Sequence, residues 1–96
     1  MQYSYKEKSI KNIDKTDTLI AVSGTIVNKS GNSFVLDDGY SISVYSENMQ
    51  FKIGDYVRVF GKAMVFDKGI EIHSDFIQDL SKIDKQLHRK IIMLLE

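Results

Sequence analysis

The segment 54–66, GDYVRVFGKAMVF, constrains the fold more tightly than any other part of the chain. Behind a Gly-Asp turn, Val57 and Val59 alternate with Arg58, Phe60 and Lys62, which is the period-2 pattern of a half-buried strand. Gly61 interrupts it. A glycine inside a strand packs no side chain and weakens the pairing, so it is kept where the strand bends sharply, where another backbone approaches closely, or where room is left for a ligand. Sharp bending is what a small closed barrel demands of long strands. Gly24 holds the matching place in TLIAVSGTIVNK (18–29), which sets Ile20, Val22 and Ile26 against Leu19, Ala21, Ser23, Thr25 and Val27.

The remaining pattern fits the same architecture. NSFVLDD places Phe34 and Leu36 on one face, and Asp38-Gly39 is a hairpin signal. YSISVYS follows with Ile42 and Val44 inward and Tyr45 outward. A turn at Asp67-Lys68-Gly69 leads into GIEIHSDFI as the fifth strand. From Ser81 the period becomes helical, with Ile83, Leu87, Ile91 and Leu94 or Leu95 in register. The chain is therefore read as an all-β, five-stranded barrel over 18–80, preceded by a polar N-terminal arm at 1–17 and followed by an α-helix at 81–96.

Composition narrows the function. At 96 residues the chain supports one core. No apolar run reaches the roughly 20 residues of a membrane span, and the start MQYSYKEKSIK is too polar for a signal peptide, so a cytoplasmic protein without membrane contact is expected. The absence of cysteine removes disulfides, thiolate nucleophiles and thiolate metal sites together. His73 and His88 have no serine–acid constellation near them, and neither HExxH nor P-loop spacing occurs, so no enzyme activity and no cofactor are expected. Asp37 and Asp38 read as turn formers and not as metal ligands, since no further ligands converge on them. Net charge is zero, but residues 18–80 hold five basic and eight acidic residues, a balance of −3. A polyanion would have to be gripped locally.

IAVSGTIVN, the FVLDDG hairpin, GDYVRVFGKAMVF and the closing IQDLSKIDKQLHRKI together resemble an OB-fold. More narrowly, over residues 10–95 the chain resembles the middle-sized subunit of replication protein A, the single-stranded-DNA-binding complex of archaea and eukaryotes. FVLDDG and GDYVRVFG mark the OB class as a whole, since anticodon-binding and telomere-capping OB domains share them. The resemblance implies a base-stacking aromatic in the loop between strands 4 and 5, where Phe66 stands. It also implies a tryptophan just past strand 3, where this chain has Glu47; Tyr45, two residues earlier, is the available substitute. The resemblance further implies assembly with partner OB subunits through the C-terminal helix.

Binding a single strand without sequence preference needs aromatic faces for bases and cations along the backbone path. The outward register offers Tyr45, Tyr56, Arg58, Phe60 and Lys62, and the loops add Phe66, Lys68 and Lys29. The candidate nucleic-acid contacts are thus Lys29, Tyr45, Arg58, Phe60, Lys62, Phe66 and Lys68. The alternative for Tyr56 and Phe60 is packing under the helix or the N-terminal arm. Ile91 to Leu95 are apolar without a break, more than one helix stripe can bury against its own barrel. Leu87, Ile91, Met93, Leu94 and Leu95 are accordingly expected to hold a partner, while Ile83 and Leu87 serve either the barrel contact or the start of a bundle. The expected function is a non-catalytic subunit of a single-stranded-DNA-binding complex, weak by itself and strengthened by linked partners. Two rivals stand beside it: an assembly-only OB protein without nucleic-acid contact, favoured by Glu47 and the acidic barrel, and an RNA- or tRNA-binding OB module.

Overall fold

A computed structural model describes residues 4–47 and 50–95. Its elements are β1 (Lys6–Glu7), a 3₁₀ turn (Ile10–Asn12), β2 (Leu19–Ser30), β3 (Ser33–Asp37), β4 (Ser41–Tyr45), β5 (Tyr56–Phe66), β6 (Gly69–Asp79) and α1 (Lys85–Leu95). The strands run in the order β1-β2-β3-β4-β6-β5, and a β2–β5 pairing closes the barrel. β2 can serve both sides because it changes partner along its length. Leu19–Thr25 pair with β5, whereas Thr25–Ser30 pair with β3. The change falls beside Gly24, where a Cβ would lie 2.8 Å from the Asp37 carbonyl oxygen and 2.9 Å from Leu36 Cγ. Gly61 answers the same need on β5: a Cβ there would strike the His73 carbonyl and lie 2.9 Å from Ser74 Cα. Both glycines are explained by close backbone approach at a barrel corner.

A second irregularity sits next to Gly61. Gly61 pairs with Ser74 and Phe60 with Phe76, so Asp75 is an extra residue on β6. One extra residue reverses the faces of everything beyond it. Strict alternation from Ile72 would turn Phe76 inward; after the bulge Ile77 packs against the core and Phe76 points out.

The core is built from the inward set of the five barrel strands: Ile20, Val22, Ile26, Phe34, Leu36, Ile42, Val44, Val57, Val59 and Ile72. Each contributes about 1.5–3 kcal/mol on burial. The segment before β2 joins this body. β1 pairs in parallel with Ile20 and Ala21, and Ile10 is buried in the same core. The β3–β4 turn holds that segment: Asp37 Oδ1 accepts from Gly39 N–H at 2.9 Å, Asp38 Oδ1 from Tyr40 N–H at 3.2 Å, and Asp38 Oδ2 from Ile10 N–H at 2.9 Å.

The helix begins later than its periodicity suggests. Leu80 is buried, its N–H bonds the Tyr56 carbonyl at 2.9 Å, and Asp79 caps the turn through Ser81 N–H. Asp84 then caps α1 by accepting from Leu87 N–H at 3.1 Å. The face laid on the barrel carries His88 and Ile92, over Ser23 and Tyr56; Ile83 and Leu87 stay exposed. No helix among the described residues is long and apolar enough to cross a membrane.

Candidate nucleic-acid interface

Where β4, β6 and β5 run side by side, their outward residues form a row. Tyr45 pairs with His73 across the parallel β4–β6 junction, and His73 pairs with Lys62 across β5–β6. The Tyr45 and His73 rings lie 5.3 Å apart at 39°, and Phe66, at the end of β5, brings its ring to 6.2 Å from His73 at 31°. Tyr45 is 37% and Phe66 49% exposed. Three π faces from three strands thus share one open surface. Their backbones are fixed by ladder pairing, so the arrangement costs little ordering on contact with a flat ligand.

Cations border this row. Lys62 Nζ lies 3.4 Å from Asp75 Oδ1 with its side chain 60% exposed. Lys68 is exposed in the β5–β6 turn, which Gly69 makes possible by adopting φ 136°. Phe66, Lys68 and Glu71 line a surface depression of about 460 Å³ that reaches Ser43 on β4. Lys29 lines a second depression that also includes Ser43, and its Nζ donates to the Phe51 carbonyl at 2.7 Å. Glu47 faces solvent near Tyr45 and Lys62, at the wall of the adjoining groove.

Arg58 and Phe60 lie elsewhere on β5. Arg58 is half-buried, with Nη2 3.3 Å from Glu7 Oε1 and 3.4 Å from His88 Nε2. Phe60 stacks on Phe76 and meets Tyr5 of the N-terminal segment edge-on. Tyr56, read as outward, is buried instead: its outward register places it beneath α1, against the His88 ring. Burial raises the Tyr56 phenol above its ordinary pKa. Burial first, and the Arg58 guanidinium second, lower the His88 pKa. The sequence-derived set therefore divides. Tyr45, Lys62, Phe66 and Lys68 converge with Lys29 at the rim, while Arg58 and Phe60 serve the packing of the N-terminal segment and α1.

Sequence reasoning passed over His73, Met64 and Phe76. Alternation along GIEIHSDFI turns His73 outward, but its pairing between Tyr45 and Lys62 is set by the strand order, which the sequence does not display. Phe76 had no such signal, because the Asp75 bulge sets its direction. On the helix, Leu87, Ile91, Met93, Leu94 and Leu95 are all exposed, Leu94 at 83%. Among the described residues no cluster of three or more His, Cys, Asp or Glu could hold a metal ion.

The barrel with its closing helix superposes on telomere capping protein Ten1 from S. pombe with a TM-score of 0.77, at 15% identity over 96% of this chain and 97% of that one. The chain has the OB-fold. A chain of the S. pombe Stn1–Ten1 complex gives a TM-score of 0.80, at 16% identity over 99% of this OB-fold chain and 94% of its counterpart. A chain of a replication protein A heterotrimer bound to single-stranded DNA gives 0.64, at 21% identity over 80% of this chain and 66% of that one. At such identities the likeness is one of fold. The sequence matches no family model and no curated protein. The expected five-stranded OB barrel with a C-terminal helix is present, with β1 as an added strand.

Proposed function

We propose that this OB-fold chain is a non-catalytic subunit of an assembly that works on single-stranded nucleic acid, single-stranded DNA in the first instance. The observation that carries the proposal is the row of Tyr45, His73 and Phe66 on three adjacent strands, exposed at Tyr45 and Phe66 and half-buried at His73, with Lys62 and Lys68 beside it. Stacked bases would take the aromatic faces, and the lysines would meet phosphates. Replication protein A bound to single-stranded DNA and the Stn1–Ten1 complex, both similar in fold, support the choice of ligand and of assembly with further OB subunits. The outer face of α1, with Leu87, Ile91 and Leu94, supports the helix as the assembly surface, with Met93 and Leu95 at its margins. Intrinsic affinity is modest in this reading, because Glu47 stands where a stacking tryptophan would help and the lysines are few. Linked subunits then raise the effective concentration.

The test is fluorescence anisotropy of a labelled oligo-dT of about 20 nucleotides, longer than the range of about 4–16 that one OB-fold covers. Phe66→Ala is expected to weaken binding by about 1–3 kcal/mol, the worth of one stacked base. A competition between poly-dT and tRNA separates DNA from RNA preference. A specific observation favours the assembly-only reading: Lys62 and Arg58 both face carboxylates, and Lys29 bonds a carbonyl. Absence of binding at low salt and high protein concentration would establish that reading instead.

A further inference from the structure

Beyond Lys62, on the side away from Phe66, β5 and β6 carry a second aromatic cluster. Phe60 and Phe76 stack with centroids 4.5 Å apart and planes 17° from parallel. Tyr5 meets both rings edge-on, at 5.3 and 5.8 Å, and its hydroxyl donates to Asp75 Oδ2 at 2.8 Å. Phe76 nonetheless remains 52% exposed. A groove of about 620 Å³ connects it to the first row; Tyr45, Glu47, Lys62, Met64, His73 and Phe76 are among its walls.

We propose that this groove carries a continuation of the bound single strand, with Phe76 as a second base-stacking platform. The inference rests on the nucleic-acid reading above and extends its footprint. Three features support it. Phe76 is backed by Phe60 and braced by Tyr5, so a base stacking on it immobilises little that is not already held. The platform is continuous with the Tyr45–His73–Phe66 row through one groove, and stacking on successive rings is how sequence-tolerant single-strand sites are built. The charges also set a path. Asp75 is engaged by Lys62 on one oxygen and by Tyr5 on the other, which offsets its repulsion. Glu47 stands on the opposite wall with Tyr45. Phosphates therefore follow the β5 wall beside Lys62, and bases turn towards β6.

The chain contains no tryptophan, so Phe76→Trp introduces a single indole reporter at the platform, read by excitation that bypasses the tyrosines. The full chain is titrated with oligo-dT of about 4 and about 12 nucleotides, lengths at the two ends of a one-domain footprint. The longer oligonucleotide is expected to quench the Phe76→Trp indole. Phe76→Ala and the still-apolar Phe76→Leu are both expected to weaken the longer one about 5- to 150-fold, the equivalent of one stacked base, and to leave the shorter one unchanged. Phe66→Ala weakens both. Thermal melting of the Leu variant, which keeps an apolar side chain on Phe60, separates lost stacking from lost folding. Should the longer oligonucleotide bind in a Phe66-dependent manner while both Phe76 variants bind like the parent and the indole stays unmoved, the second platform is overturned and the nucleic-acid reading stands; the cluster then belongs to a protein contact. Binding of neither oligonucleotide would remove the nucleic-acid reading and this extension together.

Discussion

Beneath α1, His88 Nε2 lies 3.1 Å from Ser23 Oγ and 3.4 Å from Arg58 Nη2, with the Tyr56 ring edge-on at 5.9 Å. A neutral imidazole can accept from both neighbours at that nitrogen. A protonated one would turn an N–H towards a guanidinium that already pairs with Glu7. The folded state therefore holds the His88 pKa below its ordinary value, chiefly through burial and secondly through Arg58. The unfolded chain takes up a proton near the ordinary pKa of about 6.5, so stability is complete above that pH and is lost as pH falls towards the lowered folded value. Denaturant melts of the parent chain and His88→Gln from about pH 7.5 to about pH 5 check this, with the parent losing stability on acidification more steeply than the variant. Equal slopes would show that His88 does not carry the effect. None of this was legible in the sequence, where His88 reads as one polar residue in a basic helix. Its meaning comes from Ser23, Arg58 and Glu7, which are distant in the chain.

At the scale of elements, alternation reveals a strand well because both faces are marked. The inward sets of β2, β3, β4 and β5 follow from it, including the pairs Phe34/Leu36 and Ile42/Val44. It fails at Phe76, where the Asp75 bulge inverts the face, since nothing in GIEIHSDFI marks an extra residue. The helix shows the opposite limitation. Ile91 to Leu95 form an unbroken apolar run, which discloses that more than one stripe exists but carries no phase. The phase is set by the Asp84 cap and by the seating of His88 and Ile92 on β2 and β5. The two sides of α1 therefore respond differently to substitution. Ile92→Ala, at a buried position, is expected to destabilise the chain by about 2–4 kcal/mol in denaturant melts. Leu94→Ser, at an exposed one, is expected to change stability by no more than about 0.5 kcal/mol. If α1 is the assembly surface, only Leu94→Ser dissociates the complex without loosening the barrel, as size-exclusion of co-purified complexes would register. A large melting shift in Leu94→Ser would mean that this face packs on its own barrel.

At the scale of the whole molecule, the barrel was legible because long strands that close a small barrel require glycine where backbones approach, and Gly24 and Gly61 stand there. The candidate site was legible only in part. Tyr45, Lys62, Phe66 and Lys68 share one surface, whereas the same alternation also selected Arg58 and Phe60, which the N-terminal segment and α1 cover. Charge makes the remaining argument. Residues 18–80 carry a balance of −3, and the cations near the aromatic row are Lys62 and Lys68, with Lys29 at the rim. A single strand held here neutralises about one to three phosphates, so log Kobs against log salt should fall with a slope between about −0.7 and −2. Stacking is insensitive to salt, and a residual affinity persists where a purely electrostatic contact would vanish. Lys68→Gln should flatten the slope by about 0.7, the share of one phosphate. A slope steeper than about −4 would demand a basic surface of about six cations or more. The cations beside the aromatic row do not supply it, and such a slope would overturn that row as the site.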